Sequence, residues 1–121
     1  MAYWQEGFLA SHDGVQLYQQ CWRAPVRPKA ALVLIHGLGE HSGRYTNLVS
    51  ALNARDIAIY SMDNRGHGRT PGQRGFIKQW DDFREDVRSL IQLTAVSEPG
   101  VPLFLMGHSL GGLIAFEYAL R

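Results

Sequence analysis

Residues 101–121 read VPLFLMGHSLGGLIAFEYALR, and this stretch decides the fold. Its opening apolar run, 101–106, is typical of a strand that is buried on both faces. After the glycine-rich turn at 107–112 the chain continues to Leu120 without glycine or proline, which favours a helix. Strand, G-x-S-x-G and helix in this order predict a nucleophile elbow, the sharp turn that lifts a serine above a sheet.

The glycines on either side of Ser109 have a physical reason. An elbow serine sits in strained backbone, and larger residues at Gly107 and Gly111 would collide with the adjoining strand and helix. Two other interpretations stay open. One is a membrane-spanning helix, which the glycines, His108 and Glu117 oppose, and the other is a non-catalytic turn whose serine only caps the helix.

The composition is that of an ordinary soluble domain, with 121 residues, 45% of them hydrophobic, and a formal net charge of +1. Because the basic residues are scattered, nothing predicts nucleic-acid binding. Cys21 has no partner for an internal disulfide, so we interpret it as a core residue in a reducing compartment. The first residues lack the basic start and the apolar segment of a signal peptide, which predicts a cytoplasmic protein.

The rest of the chain predicts strands alternating with helices after a hairpin. Strands at 3–9 and 15–22 flank a turn in which His12 is interpreted as a solvated residue, and the second strand is expected to keep a polar face near a sheet edge. The next predicted elements are a strand at 30–35, a helix at 44–55, a strand at 57–62, and a helix started by a capping box of Asp82 and Glu85. This order predicts an α/β fold in which parallel strands with flanking helices follow an antiparallel hairpin.

An acyl-transfer serine needs two backbone N–H groups aimed at the developing oxyanion, because charge formed in a water-poor site must meet donors already in place. The first donor is predicted at Leu110, directly after Ser109. The second is predicted at Leu38, in the loop that reads HGLG at 36–39 and ends a buried strand.

Three segments carry a resemblance to a known family: HGLGEHSGRY at 36–45, DNRGHGRTPGQRG at 63–75 and GHSLGG at 107–112. In order and spacing they resemble the monoacylglycerol lipase and lysophospholipase branch of the α/β-hydrolases. The resemblance implies an α/β-hydrolase fold, a lipid or small ester as substrate, no cofactor, and attack by Ser109 and then by water on an acyl-enzyme. Proline-releasing serine peptidases share much of the pattern and are the rival within the fold.

The other motif residues are expected to support the loops by hydrogen bonds or by close backbone approach. They are His36, Gly37, Gly39, Asp63, Arg65, His67, Gly107, His108 and Gly111. We expect charge-assisted hydrogen bonds to tie Asp63, Arg65 and His67 into their own loop. His108 is not expected to be the base, because a base has to approach Ser109 from across the site.

Two rival site classes are weaker on spacing. A metal site would use His36 and His41, which match no zinc-ligand pattern, so no metal is expected. A nucleotide site would use the glycines of the HGLG loop, but Ser42 stands where G-x-G-x-x-G needs its last glycine. A hydrolase-like binding protein without catalysis remains the further alternative.

The family places its triad acid and histidine after the nucleophile. The residues after Ser109 contain Glu117 but no histidine. The resemblance therefore implies that residues 1–121 are the N-terminal part of one hydrolase domain, nearly inactive alone because a lost triad partner costs several orders of magnitude in rate. The remaining part would supply the triad partners, a lid that contacts membranes, and strands beside 101–106. Without it, we expect that sheet edge to self-associate or to need a complementing part.

Overall fold

A computed structural model describes residues 3–120, and its elements follow the hydrophobic pattern closely. They are β1 (Tyr3–Ala10), β2 (Gln16–Arg23), β3 (Ala30–Ile35), a 3₁₀ turn (Ser42–Tyr45), α1 (Thr46–Asn53), β4 (Ile57–Met62), α2 (Trp80–Ser97), β5 (Leu103–Gly107) and α3 (Leu110–Ala119). The observed bounds of β3 and β4 coincide with the predicted ones, since both are short apolar runs between polar or glycine-rich loops.

The five strands form one mixed sheet in the order β1-β2-β4-β3-β5. β2 pairs antiparallel with β1 and with β4, whereas β3 pairs parallel with β4 and β5. Leu32 of β3 lies between Ile59 and Phe104, so β3 is the strand that joins the two halves of the parallel part. The predicted α/β class, a hairpin followed by parallel strands, is confirmed.

Helices cover both faces of the sheet because successive strand side chains point to opposite sides. On one face Val33 and Ile35 pack with residues of α2 and α3 such as Val87 and Ile114. On the other face Leu34 packs in a smaller cluster with residues of α1. Because β3, β4 and β5 run parallel, the loops at their carboxyl ends meet at one edge of the sheet, where parallel α/β folds place their sites.

The prediction of a polar face on β2 is wrong. β2 lies between β1 and β4, and most of its residues are buried. Gln20 is only 7% exposed. Its amide donates to Ser42 Oγ at 2.7 Å and accepts from Trp4 Nε1 at 3.1 Å, so the buried glutamine is satisfied on both sides.

The predicted capping box on α2 is also wrong. The helix begins at Trp80, and Gln79 before it makes no side-chain cap. The carboxylate of Asp82 is buried and lies 3.3 Å from His12 Nε2 and 3.5 Å from Arg65 Nη1. His12 is therefore not merely a solvated turn residue, because it packs the hairpin turn against α2.

Apolar side chains are exposed around β5, which within residues 3–120 pairs only with β3. Phe104 and Met106 of the strand are 58% and 41% exposed. Leu113, Phe116 and Leu120, on or just after α3, are 55%, 64% and 67% exposed.

Among residues 3–120, no helix has the combination of length and apolar character that crossing a bilayer requires.

Candidate active site

Ser109 stands in the turn between β5 and α3 with φ 57° and ψ −119°. Residues other than glycine seldom adopt positive φ, and such strain persists only where the surroundings enforce it. Here the backbone is held on both sides. Gly111 N donates to His108 O at 2.9 Å, and Leu113 N donates to Ser109 O at 3.1 Å.

The elbow packs so tightly, both on β3 and within its own turn, that neither position flanking Ser109 tolerates a side chain. A Cβ on Gly111 would overlap the carbonyl oxygen of Ile35 and would lie 2.5 Å from that of His36. A Cβ on Gly107 would overlap the backbone of Gly111. Both glycines therefore serve close approach.

The loop after β3 lies directly beside the elbow. A Cβ on Gly37 would lie 3.0 Å from His108 O and 3.2 Å from the Cβ of Ser109. Leu38, one residue later, follows β3 at the same edge of the sheet at which Ser109 follows the parallel strand β5. Leu110 is the first residue of α3, where the helix provides no acceptor for the backbone N–H.

His36 orients the peptide that carries the Leu38 N–H. Its Nε2 accepts the N–H of Asn64 at 2.9 Å, so Nδ1 carries the proton and donates to Gly37 O at 2.7 Å. Burial lowers the pKa of His36, which keeps the ring in this neutral form. Gly37 C=O and Leu38 N–H are opposite ends of one planar peptide, so fixing the carbonyl also fixes the direction of the N–H.

Asp63 joins the loops that follow β3 and β4. One carboxylate oxygen accepts the N–H and the hydroxyl of Ser42, both at 2.7 Å, and the other accepts the N–H of Arg69 at 2.9 Å. His67 Nδ1 lies 3.1 Å from Arg65 O, and its ring packs 5.2 Å from that of His36. The two loops are therefore held together by side chains of both.

Arg65 reaches further than the predicted contact within its own loop, and that prediction is corrected. Its guanidinium donates to Asp86 of α2 at 2.7 and 2.8 Å and to Asp13 of the hairpin turn at 2.8 Å. This hydrogen bond lowers the pKa of Asp13 to about 2, whereas burial raises the pKa of Asp86. The guanidinium contacts two elements outside its own loop, the hairpin turn and α2, because both place acids around it, which the spacing within its loop did not reveal.

The carboxylates around Arg65 also resemble a metal site in spacing. Ligand atoms of His12, Asp13 and Asp82 lie within 4.8 Å of one another. Arg65 Nη1 contacts both carboxylates of this group, at 2.8 Å and 3.5 Å. Because a permanent cation already compensates the acids, these residues do not fit a metal ion.

Sequence reasoning missed Glu40 and Asn64 as supports of the site. Both lie within the quoted motifs. Glu40 comes three residues after Gly37, a spacing at which its side chain can bond the backbone of Gly37 across a turn. His108 also turns toward Glu40, with Nδ1 3.3 Å from Oε1. The sequence identified the motifs, but not the partner of each residue.

Replacing Arg65 with methionine is expected to lower the free energy of unfolding by about 3–5 kcal/mol, because it leaves Asp86 buried without a counter-charge. The deficit should shrink as the pH falls, since protonation of Asp86 removes the buried charge. Urea denaturation at several pH values measures both effects.

The matched control is Arg69→Met in the same loop. The Arg69 side chain is 68% exposed and pairs with Glu6 at 3.1 Å, so its loss should cost less than about 1 kcal/mol. A loss for Arg65→Met as small as that expected for Arg69→Met would show that the Arg65 network does not stabilise the fold.

Comparisons with known proteins identify a family, related sequences and related structures. A profile of the family described as serine aminopeptidase, S33, matches residues 26–121. The monoacylglycerol lipase of Mycolicibacterium smegmatis is 36% identical over 116 residues, which cover 96% of this chain and 41% of that protein. The human monoglyceride lipase is 38% identical over 107 residues, which cover 88% of this chain and 35% of that protein.

Among solved structures, a thermostable carboxyl esterase from Bacillus coagulans, in complex with glycerol, matches with a TM-score of 0.87 at 30% identity. The match covers 98% of this chain and 40% of the esterase. The chain thus spans about two fifths of the length of the relatives it matches.

Proposed function

The chain belongs to the serine aminopeptidase S33 family of α/β-hydrolases, and we propose that its protein hydrolyses carboxylic esters with Ser109 as nucleophile. The observation that carries this proposal is the strained backbone of Ser109, at φ 57° and ψ −119°. Such a conformation costs on the order of 1–3 kcal/mol and is concentrated at functional sites. A serine that only capped α3 would accept a backbone N–H of the helix with its hydroxyl oxygen, but Ser109 makes no side-chain cap.

The proposed reaction is acyl transfer in two steps. Ser109 Oγ attacks the ester carbonyl carbon and passes its proton to a histidine base, and the alcohol leaves when the base returns that proton. Water then attacks the acyl-enzyme by the same route and releases the acid. In both steps the N–H groups of Leu38 and Leu110 are proposed to hold the oxyanion.

We propose that the histidine and its acid lie outside residues 1–121, in a further part of the same domain. His108 is directed to Glu40 at 3.3 Å, and no histidine follows Ser109 in the sequence. The relatives, which are about two and a half times as long, support this division. Alone, residues 1–121 are then expected to be nearly inactive.

The proposed substrates are monoacylglycerols or lysophospholipids. Monoacylglycerol lipases among the relatives favour this choice, while the family description favours an aminopeptidase as the second candidate. A lid outside these residues is proposed to bring a cytoplasmic enzyme into peripheral contact with membranes. A binding protein that uses the same fold without catalysis is the remaining alternative.

In the full-length protein, a fluorophosphonate should label Ser109, because phosphonylation uses the same activated hydroxyl as acyl transfer. Ser109→Ala should abolish labelling. Ser89→Ala, which removes a hydroxyl bonded to Glu85 O at 3.1 Å on α2, should leave it intact. Labelling that survives Ser109→Ala would reject the assignment.

A structure of the same adduct tests the oxyanion donors. Its phosphonyl oxygen should lie about 2.7–3.1 Å from the backbone nitrogens of Leu38 and Leu110.

Turnover of three substrate types separates the candidate functions. The full-length protein is expected to hydrolyse monoacylglycerols and p-nitrophenyl esters faster than proline-terminated amides, measured as kcat/KM. Faster cleavage of the amides would establish the peptidase alternative. Absence of all turnover, together with an unlabelled Ser109, would establish the binding protein.

The exposed edge of β5 predicts that the isolated chain is not a self-sufficient monomer. An open strand with apolar neighbours is a template for pairing, so residues 1–121 should self-associate unless a complementing part covers the edge. Phe116→Lys should weaken the association. Val96→Lys on α2, where Val96 is 79% exposed, should not. Size-exclusion chromatography with light scattering measures this, and a stable, active monomer would refute the expectation.

A further inference from the structure

Glu40 gathers three segments around Ser109 with one carboxylate oxygen. Its Oε1 accepts the N–H of Gly37 at 2.8 Å and the hydroxyl of Tyr45 at 2.6 Å, and lies 3.3 Å from His108 Nδ1. These partners belong to the loop after β3, the 3₁₀ turn before α1, and the elbow. The Glu40 side chain is only 16% exposed, so most of its interactions are made within the protein.

We propose that Glu40 is a positioning residue that fixes the oxyanion donor of Leu38, an inference that rests on the proposed function. The turn from Gly37 to Glu40 is closed in both directions. Glu40 N donates to Gly37 O at 3.2 Å, and Gly37 N donates back to the Glu40 carboxylate.

This double closure holds the peptide planes on both sides of Gly37. The N–H of Gly37 belongs to the plane before it, and its carbonyl belongs to the plane that carries the Leu38 N–H. Glycine has no side chain to restrict its rotation, so these two bonds act together with the His36 Nδ1 bond to Gly37 O in keeping the Leu38 N–H from turning away from Ser109. A donor aimed before the reaction stabilises the oxyanion without reorganisation.

Charge strengthens the closure and extends it to the elbow. The hydroxyl of Tyr45 and the N–H of Gly37 lower the pKa of Glu40 to about 2, so the acceptor is anionic. Burial, together with Glu40, raises the pKa of Tyr45 to about 12. The His108 contact ties the same carboxylate to the residue beside Ser109, with the Tyr45 ring edge-on to the imidazole at 6.3 Å.

The test in the full-length protein is Glu40→Gln, which keeps the side-chain shape and removes the charge. We expect kcat for ester hydrolysis to fall about tenfold to a hundredfold with KM within about twofold, because a misdirected donor acts on the transition state and removal of a donor costs about 10²–10³. Glu85→Gln, which breaks a surface pair with Arg88 at 3.3 Å, is the matched control and should change neither. A higher KM at unchanged kcat would make Glu40 a substrate ligand and overturn the proposal.

A second measurement does not depend on activity. In Glu40→Gln the Gly37 amide should exchange with solvent at least about tenfold faster by NMR, and Tyr45 should titrate closer to the ordinary tyrosine pKa of about 10. Unchanged exchange and titration would overturn the role of Glu40 even if the protein proved to have no esterase activity. If the wild-type protein shows slow Gly37 exchange and a raised Tyr45 pKa that both change in Glu40→Gln, but has no turnover, only the proposed function is rejected.

Tyr45→Phe covers the case in which Glu40→Gln fails to fold. It keeps the ring against His108 and removes one of the two strong donors to Oε1. The expected result is a smaller fall in kcat with unchanged KM and faster Gly37 exchange. No change in either quantity would overturn the proposal.

Discussion

The structure depends on the close approach of two backbones, that of the elbow and that of β3. Gly111 packs on the carbonyl oxygens of Ile35 and His36 with no space for a Cβ. His108 N donates to Ile35 O at 3.1 Å, so the sheet pairing of β3 with β5 passes directly into the turn. Because β3 is shared by both halves of the parallel sheet, this contact sets Ser109 and the loop after β3 side by side.

Buried polar side chains also stabilise the loops that follow β3 and β4. His36, Asp63 and Arg65 are each 9% exposed or less, and each bonds to a segment outside its own loop. A buried polar group is costly unless it is paired, so each of these side chains favours a single arrangement of its loop. The loops beside Ser109 are therefore held in place by buried side chains behind them.

Sequence patterns predicted those features that depend on local chemistry. The apolar runs of β3 and β4 fixed their bounds, and the glycines around Ser109 predicted a turn that excludes side chains. The same reasoning failed where a residue interacts with a partner that is distant in sequence. Asp82 has the spacing of a capping residue but serves Arg65 and His12, and Gln20 has a polar side chain but is buried between Trp4 and Ser42.

The sequence by itself therefore determined the α/β fold and the position of the elbow, because periodicity and glycine spacing are properties of neighbouring residues, while the resemblance of three motifs indicated the family. Only the tertiary structure decided which side chains support the site. Glu40 meets His108 across 68 positions of sequence, and Arg65 meets Asp13 across 52. Such pairs are set by the strand order β1-β2-β4-β3-β5, which brings loops together that no local pattern connects.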